Sequence, residues 1–201
     1  MVSAPPVYLP QSFTITDDQF WELSRTNPEL RLERTANGEL IVMPPTGSEG
    51  GSHNAEVTTD IVIWNRETQL GKVFDSSTGF KLPNGATRAP DTAWIANERW
   101  NALTPEQRKR FTPICPDFVL ELASESDDVD TLRRKMQEYI ENGCRLGWLI
   151  IPKTQQVEIY RSDSSAPRVR PIEVLQSPTS LSGEDVLPGF VLNLAAIFKA
   201  T

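Results

Sequence analysis

The chain has 201 residues, 38% hydrophobic and 23% charged, the proportions of one soluble globular domain. Twenty Lys and Arg against 27 Asp and Glu give a net charge of −7, which excludes a protein that coats nucleic acid through a broadly basic surface. One His and two Cys exclude a zinc finger, a His-based metalloprotease centre or a usual iron–sulfur cluster, so any metal must be held mainly by carboxylates.

Residues 1–12 carry three prolines and no hydrophobic period and read as an extended arm, with 13–201 as one domain. Thr16-Asp17-Asp18 ahead of Gln19-Phe20-Trp21-Glu22-Leu23 places capping oxygens before a short amphipathic helix that covers an edge of the fold. Leu30 to Thr35 and Glu39 to Met43 flank Ala36-Asn37-Gly38, and an Asn-Gly turn between strand-like runs predicts a β-hairpin. Gly47 to Gly51 reads as a polar glycine-rich loop, and Ser52 to Leu70 as a helix whose His53, Val57, Ile61 and Trp64 share one face. Strands are expected at Lys72–Phe74, Gly79–Leu82 and Thr92–Ala96, followed by a polar helical insertion from Glu98 to Lys109.

Phe118 to Ala123 is apolar on both alternating faces except for one Glu, the pattern of a central strand covered on both sides. Asp130 to Asn142 is an amphipathic helix, ended by Gly143 as a left-handed cap. Gly147–Ile151 and Gln156–Tyr160 form two strands around a Pro-Lys-Thr turn, and Arg161 to Arg170 is a polar loop. Leu187-Pro188-Gly189-Phe190 then leads into a short helix near Leu194 to Phe198. The fold class expected is mixed α/β (α+β), a sheet with helices packed on it and no internal repeat. No run reaches the ~18 apolar residues of a bilayer-spanning helix, so no membrane is expected. Cys115 and Cys144 stand in no metal-binding pattern and no signal-peptide pattern is present, so the expected setting is a reducing, cytoplasmic one.

Glu121 is the most informative residue, because a carboxylate inside the most apolar strand is costly unless paired, hydrogen-bonded or metal-bound. A structural Glu bonded to a neighbouring Arg or amide is the blander alternative. On the following helix Leu132, Lys135, Met136 and Tyr139 fall at i, i+3, i+4 and i+7, which puts Lys135 in the inward stripe, although a Lys can also snorkel outward. The strand leads directly into that helix, so the two groups can share one end of the sheet. A cation beside a carboxylate–metal cluster suits phosphodiester cleavage, in which developing negative charge needs stabilising.

APDTAW (89–94), PDFVLELASESD (116–127), LRRKMQEYIENGC (132–144) with GWLIIP (147–152), and VLPGFVLNL (186–194) resemble the Uma-two family of endonucleases in the PD-(D/E)XK restriction-endonuclease-like superfamily. Asn37-Gly38-Glu39-Leu40, Pro44-Pro45 and the His53-bearing helix have counterparts there too, so the resemblance runs from about Phe20 to the end. It implies a restriction-endonuclease-like mixed sheet with an N-terminal β-hairpin extension, and magnesium- or manganese-dependent hydrolysis of phosphodiester bonds in DNA. Carried over by position, Asp91 is the Asp of the PD motif and Glu121 the acid of the (D/E)XK motif, both expected to bind one or two metal ions. The third position of that motif is Ala123 and not Lys; Lys135, one helix on, is the resident candidate for the missing ammonium.

Further candidates are Glu33, which resembles a recurrent family Glu, and His53, Glu56 and Asp60 on the helix near residue 53, for which capping, packing or solvated roles stay open. Arg133 and Arg134 read as a solvated face, and Trp94, Trp100 and Trp148 as packing or base-stacking residues. A local basic patch of Arg31, Arg34, Lys72, Lys81 and Arg88 would reconcile DNA binding with the acidic total. Cutting two strands leads to the expectation of a homodimer. The other reading is a catalytically inactive interaction or assembly module that keeps the fold. Convergence of Asp91, Glu121 and Lys135 in one accessible site separates the two. A Ser or Cys hydrolase lacks partners, with His53 the one imidazole available.

Overall fold

The computed structural model describes residues 14–162 and 171–198, so the expected arm at 1–12 and most of the loop at 161–170 lie outside the described residues. Helix α1 (Asp17–Thr26) starts with the capping oxygens read from sequence: the Thr16 hydroxyl accepts from the Gln19 N–H, and the Gln19 side chain returns the bond. Strands β1 (Arg31–Arg34) and β2 (Leu40–Met43) form the expected hairpin. Its turn depends on Gly38, which takes φ +86°, a conformation that suits a residue without Cβ. Helix α2 (Ser48–Thr68) begins earlier than the periodicity indicated. The glycine-rich stretch at 47–51 is therefore not a loop: Gly50 and Gly51 lie in the first turn, their roughly 1 kcal/mol propensity penalties offset by the packing of a long helix.

Strand β3 (Gly71–Asp75) is followed by two short strands, β4 (Phe80–Lys81) and β5 (Thr87–Arg88), which join the hairpin in a sheet of order β2-β1-β5-β4. Strand β6 (Thr92–Ala96) leads to helices α3 (Asn97–Asn101) and α4 (Pro105–Lys109), so the polar insertion is two short helices, the second opened by a Thr104–Gln107 capping box. Strand β7 (Phe118–Leu122), helix α5 (Val129–Glu141) and strand β8 (Leu146–Ile151) form a parallel crossover. Strands β9 (Gln156–Arg161) and β10 (Glu173–Gln176) complete a six-stranded sheet of order β10-β9-β8-β7-β6-β3, whose other neighbours are antiparallel. A last hairpin, β11 (Ser180–Ser182) with β12 (Val191–Asn193), precedes α6 (Ala195–Phe198).

The pleat divides the core in two. Phe118, Leu120 and Leu122 point toward Val57, Ile61 and Trp64 of α2, together with Trp94, Trp148 and Phe190. Val119 and Ala123 point toward Met136, Tyr139 and Ile140 of α5, together with Ala93, Ile95 and Leu149. Glu121 falls by alternation on the α5 face, and Asp91, two residues before Ala93, faces the same way. Trp94 and Trp148 are thus core residues and Trp100 packs on Phe74, so none of the three presents a free base-stacking face. Among the described residues no helix is long and apolar enough to cross a membrane. Cys115 and Cys144 are buried free thiols.

One position has no room for change. A Cβ on Gly71 would lie 2.3 Å from the Ile95 carbonyl oxygen and 2.4 Å from the Trp94 ring. Gly71→Ala is expected to lower stability by about 3 kcal/mol, the upper end of overpacking costs, read as a lower urea midpoint with unchanged slope.

Candidate active site

Six elements converge on one end of the α5 face. Lys135, buried on α5, places its Nζ 2.8 Å from Glu121 Oε1 on β7 and 2.8 Å from Glu33 Oε1 on β1. The same ammonium lies 3.3 Å from the Ala89 carbonyl. Tyr139, one turn along the helix, donates its hydroxyl to Glu121 Oε1 at 3.0 Å. Glu33 is also held by Arg88 of β5 at 3.1 Å and by the Ala89 N–H at 2.9 Å, and Arg88 is shared with Glu138 at 2.6 Å. Asp91 stands at the entrance to β6. Its Oδ2 accepts the Leu122 N–H at 2.9 Å, beside Glu121, and its Oδ1 accepts the Asn54 Nδ2 of α2 at 3.1 Å. Thr58 and Thr92 hydroxyls, 2.7 Å apart, fasten α2 to β6 beside that contact.

The electrostatics follow from burial and from a shortage of positive charge. Burial alone would push the Glu33 carboxyl up, but Lys135 and Arg88 outweigh it and hold it below the ordinary range. Glu121 has less compensation: burial, reinforced by the charges of Asp91 and Glu33, pushes it up to about 8 against the pull of Lys135. Burial also raises Asp91, opposed by the Leu122 N–H, Lys135, Arg31 and Asn54. For Lys135, burial favours the neutral amine, yet Glu121 and Glu33 hold its pKa above the usual value, so it remains an ammonium. Tyr139 stays a neutral donor, raised well above its ordinary value by burial and by Glu121 and Glu33.

The donors fit a hard divalent cation. Asp91 and Glu121 offer carboxylate oxygens, and Asn54 Oδ1 is buried with no hydrogen-bond partner. That amide orientation is set by Asp91, which requires the nitrogen end of Asn54. Among the described residues no three His, Cys, Asp or Glu side chains form a ready metal cage. A cation here would keep water or phosphate oxygens among its ligands, which is magnesium's ordinary habit.

Asp91, Glu121 and Lys135 thus come together, and so does Glu33; Glu33, Glu121 and Lys135 are buried and Asp91 is half-buried, so the accessible part of the group is Asp91. His53 does not join them: it is half-buried, and among the described residues its side chain makes no hydrogen bond, whereas its neighbour Asn54 reaches Asp91. Glu56 and Asp60 are exposed and line a cavity with Leu192, Asn193 and Ala195, on the α2 flank toward the C-terminal hairpin. Arg133 is not simply solvated, since it binds the buried Glu158 at 2.6 Å, while Arg134 is exposed as expected. The basic patch dissolves as well. Arg34 and Lys81 both pair with Asp17 on the opposite side of β1, Arg88 is neutralised by Glu33 and Glu138, and Lys72 lies at the far end of β3. Of the patch, Arg31 alone stays near Asp91 and, among the described residues, has no carboxylate partner.

Two contributors were invisible as site residues in the sequence. Tyr139 could have been found from its place four residues after Lys135 on the inward stripe. Asn54 carries no periodic or motif signal, and its contact to Asp91 spans 37 positions.

Comparison with known proteins agrees with the architecture. A solved structure from Anabaena variabilis, described as "a putative nuclease belonging to DUF820", superposes with a TM-score of 0.73 over 92% of this chain and 97% of that one, at 20% identity. At that identity the likeness establishes the shared nuclease-like fold. No curated protein matches the sequence. The Uma2 family, described as "Putative restriction endonuclease", matches residues 17–195, from the first turn of α1 to the start of α6. With nearly the whole described fold inside that match, this chain belongs to the Uma2 family.

Proposed function

We propose that the protein is an endonuclease, a hydrolase that cuts phosphodiester bonds in DNA with magnesium or manganese held by Asp91 and Glu121. The observation that carries this reading is the meeting of Asp91, Glu121 and Lys135, from three separate elements, in a group of carboxylates that outnumbers its buried cations. When bound, the cation would supply Lewis-acid polarisation of the phosphate and a more acidic water.

The chain's own groups do the positioning. The Leu122 N–H and Asn54 amide fix both oxygens of Asp91, so its carboxylate meets a ligand without reorientation. Glu33 and Tyr139 hold the Lys135 ammonium and the Glu121 carboxylate in register, with Arg88 and the Ala89 N–H fixing Glu33 behind them. Lys135 supplies a permanent positive charge where a pentavalent phosphate accumulates negative charge, or orients the attacking water. It thereby supplies from α5 the ammonium that Ala123 cannot provide. Burial around the group lowers the local dielectric and strengthens these interactions.

The test is cleavage of labelled single- and double-stranded DNA, with RNA in parallel, in magnesium, in manganese and in chelator. The expected result is internal cutting of DNA that needs the cation. Cutting that persists in chelator would overturn the metal assignment, and cutting of RNA alone would overturn the substrate. No cutting of any substrate would leave the inactive assembly module as the better description. Cleavage of both strands calls for two sites, so a homodimer is part of the proposal and is read by light scattering with and without DNA.

A further inference from the structure

Most cations near the site are already neutralised. Lys135 and Arg88 are bound by Glu121, Glu33 and Glu138, and Arg34 and Lys81 face Asp17 on the other side. Arg31 is different. It stands two residues before Glu33 on β1, so the pleat puts both side chains on one face, roughly 7 Å apart along the strand. Arg31 is the half-buried member at the strand's more open start, whereas Glu33 is buried.

Its guanidinium donates only to uncharged oxygens, the Thr46 hydroxyl at 3.2 Å and the Ser76 carbonyl at 2.7 Å. Among the described residues no carboxylate lies within ion-pair distance of it. Among the described residues two of the five guanidinium N–H groups are thus used. Ser76 follows Asp75, the β3 residue opposite Thr92, and Thr92 is next to Asp91. The Ser76 carbonyl therefore anchors Arg31 at the end of β3 that lies beside Thr92 and Asp91. Its Thr46 and Ser76 partners, on two different loops, hold the fork in one place before any ligand arrives.

We propose that Arg31 is the phosphate-binding residue of this site, donating to non-bridging oxygens of the DNA backbone at the sheet end beside Asp91. The proposal rests on the nuclease reading and names the group by which an acidic chain takes hold of its polyanionic substrate. A planar fork fixed by neutral oxygens matches phosphate geometry and has no internal counter-charge to displace.

The experiment is fluorescence anisotropy of a labelled DNA duplex with the wild-type protein, Arg31→Gln and Arg31→Lys. Calcium stands in as the hard cation, potassium chloride is varied, and thermal melting checks each variant's fold. Arg31→Gln is expected to bind about tenfold more weakly or worse, and the slope of log K against log salt should fall by about 0.9, the loss of one phosphate contact. Arg31→Lys keeps the charge and is expected to retain the slope. Wild-type affinity and slope in Arg31→Gln would overturn the assignment, as would weaker binding with an unchanged slope, because a loop-bracing role alone does not alter counterion release. If the wild-type protein itself fails to bind duplex, the nuclease reading falls and takes this inference with it; wild-type binding with an indifferent Arg31→Gln defeats the inference alone.

Discussion

Lys135→Met is expected to abolish cleavage and to lower stability by about 3–5 kcal/mol, the cost of removing one partner from a buried ion pair. The ammonium is the counter-charge of Glu33 and a hydrogen-bond donor to the Glu121 carboxyl, each 2.8 Å away. Without it Glu33 keeps Arg88 and the Ala89 N–H, but Glu121 keeps only the Tyr139 hydroxyl among the described residues. The methionine side chain fills similar space, so packing loss contributes little. Urea denaturation at neutral pH and a cleavage assay on the same preparation check both halves.

The pH dependence of the metal-free protein follows from Glu121. Its carboxyl is raised from 4.5 to about 8, chiefly by burial, so the folded state binds that proton more tightly than the unfolded chain does. The stability linked to the protonated carboxyl is fully present below 4.5 and is lost as pH rises through about 8. Urea midpoints of the metal-free wild type should therefore fall between about pH 5 and pH 9, and Glu121→Gln, which carries no titrating group there, should flatten the slope. An equal slope in wild type and Glu121→Gln would show that another group governs this window.

The second large effect concerns the proposed cation ligands. Asp91→Ala and Glu121→Ala are each expected to reduce metal-dependent cutting by at least about 10³-fold, the several kcal/mol a Lewis-acid ion lends to the transition state. Glu56→Ala and Asp60→Ala should stay within about twofold of wild type, because these exposed carboxylates lie on the α2 flank toward the C-terminal hairpin. Initial rates on one duplex substrate compare all four. Losses of the same size in both pairs would mean that general negative charge, and not this cluster, governs activity.

The residues that sequence made legible are those that break a pattern. Glu121 interrupts an apolar strand, Lys135 interrupts an apolar helical stripe, and both lie where those interruptions placed them, buried and in contact. Asp91 had no such anomaly and was reached through family resemblance. The hairpin and α1 were readable because an Asn-Gly turn and a Thr–Gln capping box are local signals. Strands β5 and β10 were not: two residues show no period, and a strand at the sheet edge, mostly exposed, shows no buried face. Charge partners were equally hidden. By sequence Arg34 and Lys81 are available for DNA; in the fold both pair with Asp17, 17 and 64 positions away. Composition sets the amount of charge, and only the fold decides which charges are already neutralised.

The most direct measurement is calorimetric titration of manganese into the purified wild-type protein and Glu121→Gln, in buffers of different ionisation enthalpy at neutral pH. On the proposed reading, binding would ionise the Glu121 carboxyl, so the expected result is wild-type binding with release of protons, with both binding and proton release sharply reduced in the variant. Absence of binding by the wild type, or undiminished binding by Glu121→Gln, would contradict a divalent-cation site at Asp91 and Glu121.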